Sequence, residues 1–228
     1  MKILITSGGT TEQIDSVRGI TNHSTGKLGK EMAEHFLKAG HQVSLVTTKA
    51  AVKPNASEQL SIYHITNVAS LIQRLKPLVE NHDVLIHCMA VSDYTPVYMT
   101  DLEEVKETTD IETLLKKSNQ ETKISSSSDV QVLFLKKTPK VISMVKEWNP
   151  NIQLIGFKLL VDVTEDQLIS VAKDSLTKNK ADYIVANDLA TISADSHKAL
   201  LVSKDEVLSL ATKSEIAETL LKKVTYYD

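Results

Sequence analysis

The chain has 228 residues, 42% of them hydrophobic and 24% charged, which is typical of a globular protein that can bury a core. A formal net charge of −3 gives no general attraction to nucleic acid or membrane lipid, so neither is expected as a partner. The single cysteine, Cys88, excludes a disulfide framework and is expected to be an inert core thiol. Because no apolar run is long enough for a signal peptide or a membrane span, we expect a cytoplasmic location.

The first 91 residues alternate between apolar, strand-like runs and amphipathic helices. Strands are predicted over 2–7, 41–48, 61–66 and 83–91, and helices over 26–40 and 67–81, with Asn67 as a candidate N-cap. Strands rich in Val, Ile and Leu that alternate with helices predict parallel pairing with both sheet faces covered. The predicted fold class is therefore α/β, with a doubly wound, mostly parallel, Rossmann-like sheet.

The regular pattern breaks down over residues 92–137. Four consecutive serines, Ser125 to Ser128, precede an alternating run there, and we interpret the region as a long mobile loop leading into an extended segment. The pattern then resumes with helices over 140–148, 164–179 and 215–224, strands over 151–157 and 181–188, and a hairpin over 198–210 that turns at Lys204-Asp205. No linker interrupts the chain, so a single domain over 1–228 is expected.

A long connection separates the first strand from the first helix. The helix is expected to begin at about Ser24, whose hydroxyl would cap it, followed by Gly26 and Gly29. Ligands of parallel sheets bind beyond the carboxyl ends of the strands, where the free N–H groups of a helix N-terminus favour an anion. The two loops SGGT and STGKLG therefore form a candidate phosphate site.

The same residues do not support an NAD site or a Walker-type ATP site. A dinucleotide fingerprint would place its glycines directly after the first strand and an acidic residue after the second, which ends in Thr47-Thr48-Lys49. A P-loop would need glycine in place of Thr21 and a hydroxyl residue in place of Leu28. Spacing alone leaves open whether Arg18 and Asn22 bind a ligand or tie the long loop to itself.

Five segments together resemble one enzyme family. They are SGGTTEQIDSVRGITNHSTGKLG, AVSDY at 90–94, the pair Lys123-Ile124, IGFK at 155–158 and VAND at 185–188. In this order and spacing they are similar to phosphopantothenate–cysteine ligases, over nearly the whole chain. With no flavin-dependent decarboxylase segment before Met1, the chain resembles the monofunctional bacterial form, and no flavin is expected.

The resemblance implies a two-step ligation in coenzyme A biosynthesis. The carboxylate of 4'-phosphopantothenate attacks the α-phosphate of CTP, giving an acyl-cytidylate and pyrophosphate, and the amine of L-cysteine then displaces CMP to form an amide. Mg²⁺ is expected with the triphosphate, held mostly by phosphate oxygens and water rather than by a protein metal site. A homodimer with shared active sites is also implied.

The resemblance also assigns roles to residues. The nucleotide set comprises Gly8, Ser24, Gly26 and Gly29 for the triphosphate, and Phe157 and Asn187 for the nucleoside.

A second set serves the acid substrate and the chemistry. By resemblance, Asn22, Ala90 and Asp93 bind the acid, and Arg18 reaches its phosphate from the neighbouring subunit. Lys123 would neutralise charge that develops on the α-phosphate, and Asn22 would hold the acyl carbonyl when cysteine attacks.

Two departures from the family pattern leave alternatives open. Serines follow the Lys-Ile pair where many relatives have further lysines, so Lys136 or Lys137 is the fallback for Lys123. Lys158 resembles the ATP-using eukaryotic form, so an ATP-using ligase is the alternative to a CTP-using one. A non-catalytic nucleotide sensor is the other alternative, since it would keep the phosphate-binding glycines without a catalytic lysine.

Overall fold

The helices and strands are taken from a computed structural model, which describes residues 1–193 and 196–225; the rest of the expected domain, 194, 195 and 226–228, lies outside the described residues. The strands are β1 (Lys2–Ser7), β2 (Thr11–Gln13), β3 (Gly19–Thr21), β4 (Gln42–Thr47), β5 (Leu60–His64), β6 (Val84–His87), β7 (Tyr94–Asp101), β8 (Gln131–Lys137), β9 (Gln153–Leu160), β10 (Tyr183–Asp188), β11 (Ala199–Val202) and β12 (Val207–Leu210). The helices are α1 (Lys27–Lys38), α2 (Val68–Val79), α3 (Leu102–Glu107), α4 (Val141–Trp148), α5 (Glu165–Asn179) and α6 (Lys213–Thr225), with short 3₁₀ helices at Ile111–Lys116 and Leu189–Thr191.

Eight strands form the central sheet, in the spatial order β5-β4-β1-β6-β9-β10-β11-β12. Six neighbouring strands of this sheet are parallel: β5, β4, β1, β6, β9 and β10. Strands β11 and β12 extend the edge as an antiparallel hairpin. The chain order reverses between β1 and β6, because β4 and β5 lie on one side of β1 while all later strands of this sheet lie on the other. A crevice opens beyond the carboxyl ends of the strands at such a reversal.

Helices cover both faces of the sheet, which confirms the predicted doubly wound α/β fold. Side chains alternate between the faces along β1: Ile3 and Ile5 pack with Phe36 of α1, whereas Leu4 packs with Leu71 of α2. Helix α6 joins α1 on the first face, and α4 and α5 join α2 on the second. Within residues 1–193 and 196–225, no helix has the length and hydropathy needed to cross a bilayer.

The helix starts show one correct and one wrong prediction. Asn67 caps α2 as predicted, accepting a bond from the Ser70 amide at 2.9 Å, and the Ser70 hydroxyl completes a capping box. The expected hydroxyl cap at Ser24 is wrong, because α1 begins at Lys27 and its N-cap is Gly26, without a side-chain cap bond. Gly26 has a φ of 79°, which a residue with a side chain adopts only at a cost.

Residues 92–137 contain more regular structure than expected. The extended segment is confirmed as β8, but it pairs with β7 as an antiparallel ribbon from Tyr94 opposite Lys137 to Asp101 opposite Gln131. Helix α3 and a 3₁₀ helix lie within the connection between the two strands, so the expected loop is shorter than 92–137. The short β2–β3 hairpin, which pairs Thr11 with Thr21, was also missed.

Candidate active site

A cleft of about 720 Å³ opens at the carboxyl ends of β1 and β6, where the chain order reverses. This is the position that parallel sheets use for ligands. Most of the predicted site residues line it: Asn22, Ser24, Gly26, Gly29, Ala90, Asp93, Phe157 and Asn187.

The start of α1 packs directly on the end of β1. A Cβ on Gly29 would overlap the Ser7 side chain, and a Cβ on Gly26 would lie 2.9 Å from Ala51 Cβ. The Ser7 hydroxyl donates to the Gly26 carbonyl at 3.2 Å, so this residue, which the sequence did not single out, holds the junction together. The uncapped N-terminus of α1 therefore lies at the cleft and can accept an anion.

Gly8 lies behind this junction rather than among the described residues that line the cleft. Its φ is 84°, and an added Cβ would lie 2.9 Å from Ala51 Cβ. Its carbonyl accepts a bond from the Ala90 amide at 2.9 Å, which joins the segments that leave β1 and β6. Gly8 thus shapes the turn, and its expected contact with a triphosphate stays a prediction.

Asn22 and Ala90, both assigned to the acid substrate, are adjacent. The Asn22 amide nitrogen is 3.4 Å from the Ala90 carbonyl and 3.4 Å from the Ser92 hydroxyl. Buried Ser92 is fixed in turn by Thr10, with 2.9 Å between the two hydroxyl oxygens. These contacts hold the exposed Asn22 side chain at the carboxyl edge of the sheet. Because both are long, the amide nitrogen can exchange one of them for a hydrogen bond to a ligand carbonyl.

The cleft is cationic although the chain as a whole carries a net charge of −3. Among the described lining residues, four lysines face a single carboxylate, and that carboxylate belongs to Asp93. It is paired with Lys140, whose Nζ is 2.9 Å from Asp93 Oδ1. The four lysines are Lys27, Lys140, Lys158 and Lys213. Such a lining favours a ligand with several negative charges.

Two buried histidines of the lining were not predicted from the sequence. Burial, with a smaller effect from Lys140, lowers the pKa of His87 to about 4. Burial and the Lys213 charge lower the pKa of His197 to about 4 as well. Both rings are therefore neutral at pH 7, and they add donors and acceptors to the cleft without adding charge.

Cys88 also lines the cleft but has no sign of reactivity. Its thiol donates to the Thr6 carbonyl at 2.9 Å, and burial raises its pKa to about 12. A protonated thiol at neutral pH is a poor nucleophile. The expectation of an inert cysteine is thereby supported.

The part of the cleft near β9 and β10 combines apolar side chains with a buried amide. Phe157 is half-buried on β9, and the side chains of Leu159 and Leu189 are 54% and 49% exposed at the rim. Asn187 is buried, and its amide nitrogen donates to the Lys198 carbonyl at 3.1 Å, which fixes its orientation. The aromatic ring and the aliphatic side chains suit the flat face of a nucleobase, and the oriented amide suits its polar edge.

Arg18 and Lys123 are absent from the described cleft lining of this one chain. Arg18 lies against Asp15, with distances of 2.6 Å and 3.0 Å from its Nη2 and Nε atoms to Asp15 Oδ2. The Arg18 guanidinium is the main reason why the pKa of the Asp15 carboxyl is held well below its usual range. Arg18 therefore ties its own loop, one of the two roles left open by the sequence.

The same ion pair also holds the segment that carries Lys123. Arg18 donates to the Ile124 carbonyl at 3.0 Å, and Asp15 accepts from the Ile124 amide at 3.2 Å. On the other side of Lys123, the Ser16 amide donates to the Thr122 carbonyl at 3.0 Å. The backbone on both sides of the lysine is thus docked on the β2–β3 connection, while its side chain stays exposed.

Across the part of the chain that the structure describes, no group of three His, Cys, Asp or Glu side chains could hold a metal ion. The one carboxylate of the described cleft lining is already paired with a lysine. A divalent cation entering with a polyphosphate would accordingly find its ligands mainly on the phosphates and water.

Comparison with known proteins identifies the family. Residues 1–227 match the DNA/pantothenate metabolism flavoprotein C-terminal domain. The chain is 33% identical to the coenzyme A biosynthesis bifunctional protein CoaBC of Thermococcus kodakarensis, over 98% of this chain and 50% of that protein. It thus spans about half the length of the curated relatives it matches.

Solved structures agree with this match. The crystal structure of the DNA/pantothenate metabolism flavoprotein from Streptococcus pneumoniae is 60% identical, with a TM-score of 0.96 and complete coverage of both chains. The C-terminal domain of a coenzyme A biosynthesis bifunctional protein CoaBC is 27% identical, with a TM-score of 0.71 over 98% of this chain and 93% of that one. The chain therefore belongs to the DNA/pantothenate metabolism flavoprotein C-terminal domain family.

Proposed function

We propose that the chain is a phosphopantothenate–cysteine ligase that joins 4'-phosphopantothenate to L-cysteine in coenzyme A biosynthesis. The observation that carries the proposal is the cationic cleft at the reversal of the sheet, which brings together most of the residues assigned by the resemblance. Both substrates of the first step are polyanions, and an acidic protein would otherwise repel them. Relatives named for coenzyme A biosynthesis support the same pathway.

In the first proposed step, the acid substrate attacks the α-phosphate of the nucleotide and pyrophosphate leaves. The uncapped N-terminus of α1, with Gly26 and Gly29, binds the phosphates, and the two glycines let this helix start pack tightly on the end of β1. Lys123 is the proposed catalytic lysine, because it can neutralise charge on the α-phosphate once its loop reaches the cleft. Lys136 and Lys137 remain the fallback candidates.

In the second proposed step, the cysteine amine attacks the activated acyl carbon and releases the nucleoside monophosphate. Asn22 is the proposed catalytic donor, because its amide is held by Ser92 and Ala90 at the point where the acyl carbonyl would lie. A neutral donor placed in advance stabilises the oxyanion of the tetrahedral intermediate when it exchanges one of these two long bonds for the substrate oxygen. Ala90 would leave room for the acid, and Asp93 would contact it.

The proposed nucleotide is CTP, accompanied by Mg²⁺. Phe157 and Asn187 would contact the nucleoside, and the half-buried Lys158 lies beside them on the lining. ATP is the alternative nucleotide because Lys158 resembles the ATP-using form. We include a cytoplasmic location, a single domain over residues 1–228 and a ligation step that needs no flavin in the proposal.

The proposed assembly is a homodimer in which Arg18 reaches the acid phosphate of the neighbouring site. In support, large apolar side chains are exposed on the β2–β3 hairpin and around the β7–β8 ribbon: Val17, Ile20, Tyr94, Ile111, Leu115, Val130 and Leu135. Shared sites can be tested by mixing Arg18→Ala and Asn22→Ala chains. Hybrid dimers would hold one intact site, and a random mixture should recover roughly a quarter of wild-type activity. No recovery would assign Arg18 to its own subunit.

Pyrophosphate release tests the proposed reaction directly. With 4'-phosphopantothenate and cysteine, release should require the acid and be faster with CTP than with ATP at equal concentration. Release with ATP alone would keep the ligase and make Lys158 the residue to examine. No release with either nucleotide would favour the sensor, which binds nucleotide without turnover.

A further inference from the structure

The carboxyl end of β6 contributes a pair of polar side chains that the resemblance does not assign. His87 is the last residue of β6, and Lys140 directly precedes α4. Both line the cleft, and the Lys140 charge affects His87 strongly enough to contribute to its lowered pKa. His87 pairs with Gly156 of β9, and the Ile142 side chain of α4 packs on Gly156. Lys140 lies two residues before Ile142. The two residues therefore border the same part of the cleft, although they are far apart in the chain.

The hydrogen bonds of Thr6 indicate which His87 nitrogen carries the proton. The Thr6 hydroxyl oxygen accepts from the Met89 amide at 3.3 Å and lies 2.8 Å from His87 Nδ1. A hydroxyl has one proton to donate, and within the described residues Nδ1 is the acceptor found for it. We therefore assign the proton of the neutral ring to Nε2.

This Nε2–H group has no hydrogen-bond partner among the described residues. His87 is only 7% exposed. Its unpaired Nε2 atom nevertheless keeps some solvent contact, because it is not among the fully buried side-chain atoms that lack a partner. Nε2 therefore opens to the cleft that the ring lines. A rigid donor without a partner inside the protein is one that a ligand oxygen can satisfy.

Lys140 supplies a positive charge beside this donor. Its side chain is 58% exposed and paired with the 63% exposed Asp93, and such exposed pairs are weak enough to exchange partners. The other cations of the lining are Lys27, Lys158 and Lys213, and the Asp93 carboxylate is its one described anion. Anion binding can thus release Lys140 from Asp93 without burying an unpaired charge.

We propose that His87 Nε2–H and Lys140 Nζ form a subsite for the carboxylate of the acid substrate. The substrate's identity in this inference rests on the proposed function. A neutral donor beside one cation matches a singly charged carboxylate, whereas the N-terminus of α1 already serves the phosphates. The position fits too, because Ala90, assigned to the acid, lies in the segment directly after β6. Holding one carboxylate oxygen orients the other for attack.

Binding measurements can separate the carboxylate from other anions. We would measure by calorimetry the affinity of 4'-phosphopantothenate and of its alcohol analogue, 4'-phosphopantothenol, for the full chain with and without CTP. His87→Phe and Lys140→Met should weaken binding of the acid by about 10- to 100-fold, but change binding of the alcohol by less than about twofold. His87→Gln and Lys140→Arg, which keep a donor and a charge, should retain most of the affinity. Lys204→Met, in the β11–β12 turn, is the control expected to have no effect.

Other results would overturn the subsite in distinguishable ways. Equal losses for the acid and the alcohol would place the contact elsewhere on the substrate, and loss of CTP affinity alone would assign the pair to the nucleotide. Unchanged acid binding by the variants would overturn the subsite but leave the ligase standing. If the wild-type chain bound neither compound under any condition, the proposed function would fail together with the subsite.

The wild-type histidine offers a readout that does not depend on how the variants fold. Imidazole nitrogen NMR at pH 7 should show His87 as the neutral Nε2–H form. Saturation with the acid should shift this Nε2–H resonance, whereas the alcohol should leave it near its free position. A purely structural histidine would show equal, small changes with both compounds, which would contradict the proposal.

Discussion

Two connections leave the carboxyl ends of the central strands, and they differ in what they bring to the cleft. The β1–α1 connection folds back on itself, so that Asn22, Ser24 and Gly26 line the cleft. The β6–α4 connection runs outward as the β7–β8 ribbon and returns at Lys140. Binding groups thus come mostly from residues adjacent to the sheet, whereas the proposed catalytic Lys123 belongs to the segment that leaves it.

The two connections are nevertheless joined. The Asp15–Arg18 pair holds Ile124, and Ser16 holds Thr122, so the lysine segment is docked on the first connection by backbone bonds. The proposed binding groups thus lie in a cleft formed at the sheet, whereas the proposed catalytic Lys123 lies on a separate segment docked beside it. Substitutions in the cleft and on that segment should have different effects.

The largest effect is expected from Lys123→Gln. Removing a charge that stabilises the transition state should slow pyrophosphate release by about 100- to 1,000-fold, while nucleotide affinity changes little. Lys136→Gln and Lys137→Gln, on the exposed end of β8, are the matched controls. A comparable loss in either control, with Lys123→Gln near wild type, would move the catalytic role to the ribbon.

On the cleft side, Gly26→Ala should affect both folding and binding. Gly26 and Gly40 have similar φ values of 79° and 84°, but an added Cβ meets Ala51 and Ser7 at Gly26 and nothing within 4 Å at Gly40. We expect Gly26→Ala to lower the free energy of unfolding by about 3 kcal/mol and Gly40→Ala by about 1 kcal/mol. Chemical denaturation measures the free energy of unfolding, and titration with CTP measures the affinity for the nucleotide. Equal effects would show that the junction with β1 is not tight.

His87 should make the stability of the cleft depend on pH. Its folded-state pKa of about 4 lies below the ordinary value of 6.5, so the unfolded chain binds more protons and stability falls as pH drops from about 6.5 to 4. Between pH 7 and pH 5 this residue should account for about 2 kcal/mol. In His87→Gln, the free energy of unfolding should change less between pH 7 and pH 5 than in the wild type. In the control variant His64→Gln, at an exposed position, this change should equal that of the wild type. An unchanged slope in His87→Gln would contradict burial of a neutral ring.

The smallest effect should come from breaking the link between the connections. Asp15→Asn removes the ion pair with Arg18, and the amide of Ile124 should exchange with deuterium roughly threefold faster. Asp129→Asn, an exposed carboxylate before β8, is the control. Since the pKa of Asp15 is depressed, the wild-type link should persist below pH 4 and weaken only as pH falls through that lower pKa. Protection lost already between pH 6 and 5 would be inconsistent with this pairing.

The sequence predicted those parts of the molecule that depend on local pattern. The sequence pattern predicted all eight strands of the main sheet. Asn22, Ala90 and Phe157, which the family resemblance assigned, line one cleft at the carboxyl ends of these strands, while their roles stay predictions. The β7–β8 ribbon was missed because its strands are about thirty residues apart and the first contains Pro96, which weakens the strand signal.

The remaining errors have equally physical causes. Ser24 resembled a helix cap, but the chain uses the left-handed conformation of Gly26 to start α1. Lys140 gave no signal because a lysine before a helix is usually solvated, and only the fold brings it beside His87. Placement of Arg18 and Lys123 depends on contacts between distant loops, which periodicity does not encode.

The most direct test of the proposed ligation follows one oxygen atom. In the proposed reaction, a carboxylate oxygen of 4'-phosphopantothenate bonds to the α-phosphate and leaves with the nucleotide when cysteine attacks. With both carboxylate oxygens labelled by ¹⁸O, mass spectrometry should find one ¹⁸O in CMP and one in the amide product. Label in inorganic phosphate would indicate attack on the γ-phosphate instead, and an unlabelled nucleotide would contradict the acyl-nucleotidylate and with it the central claim.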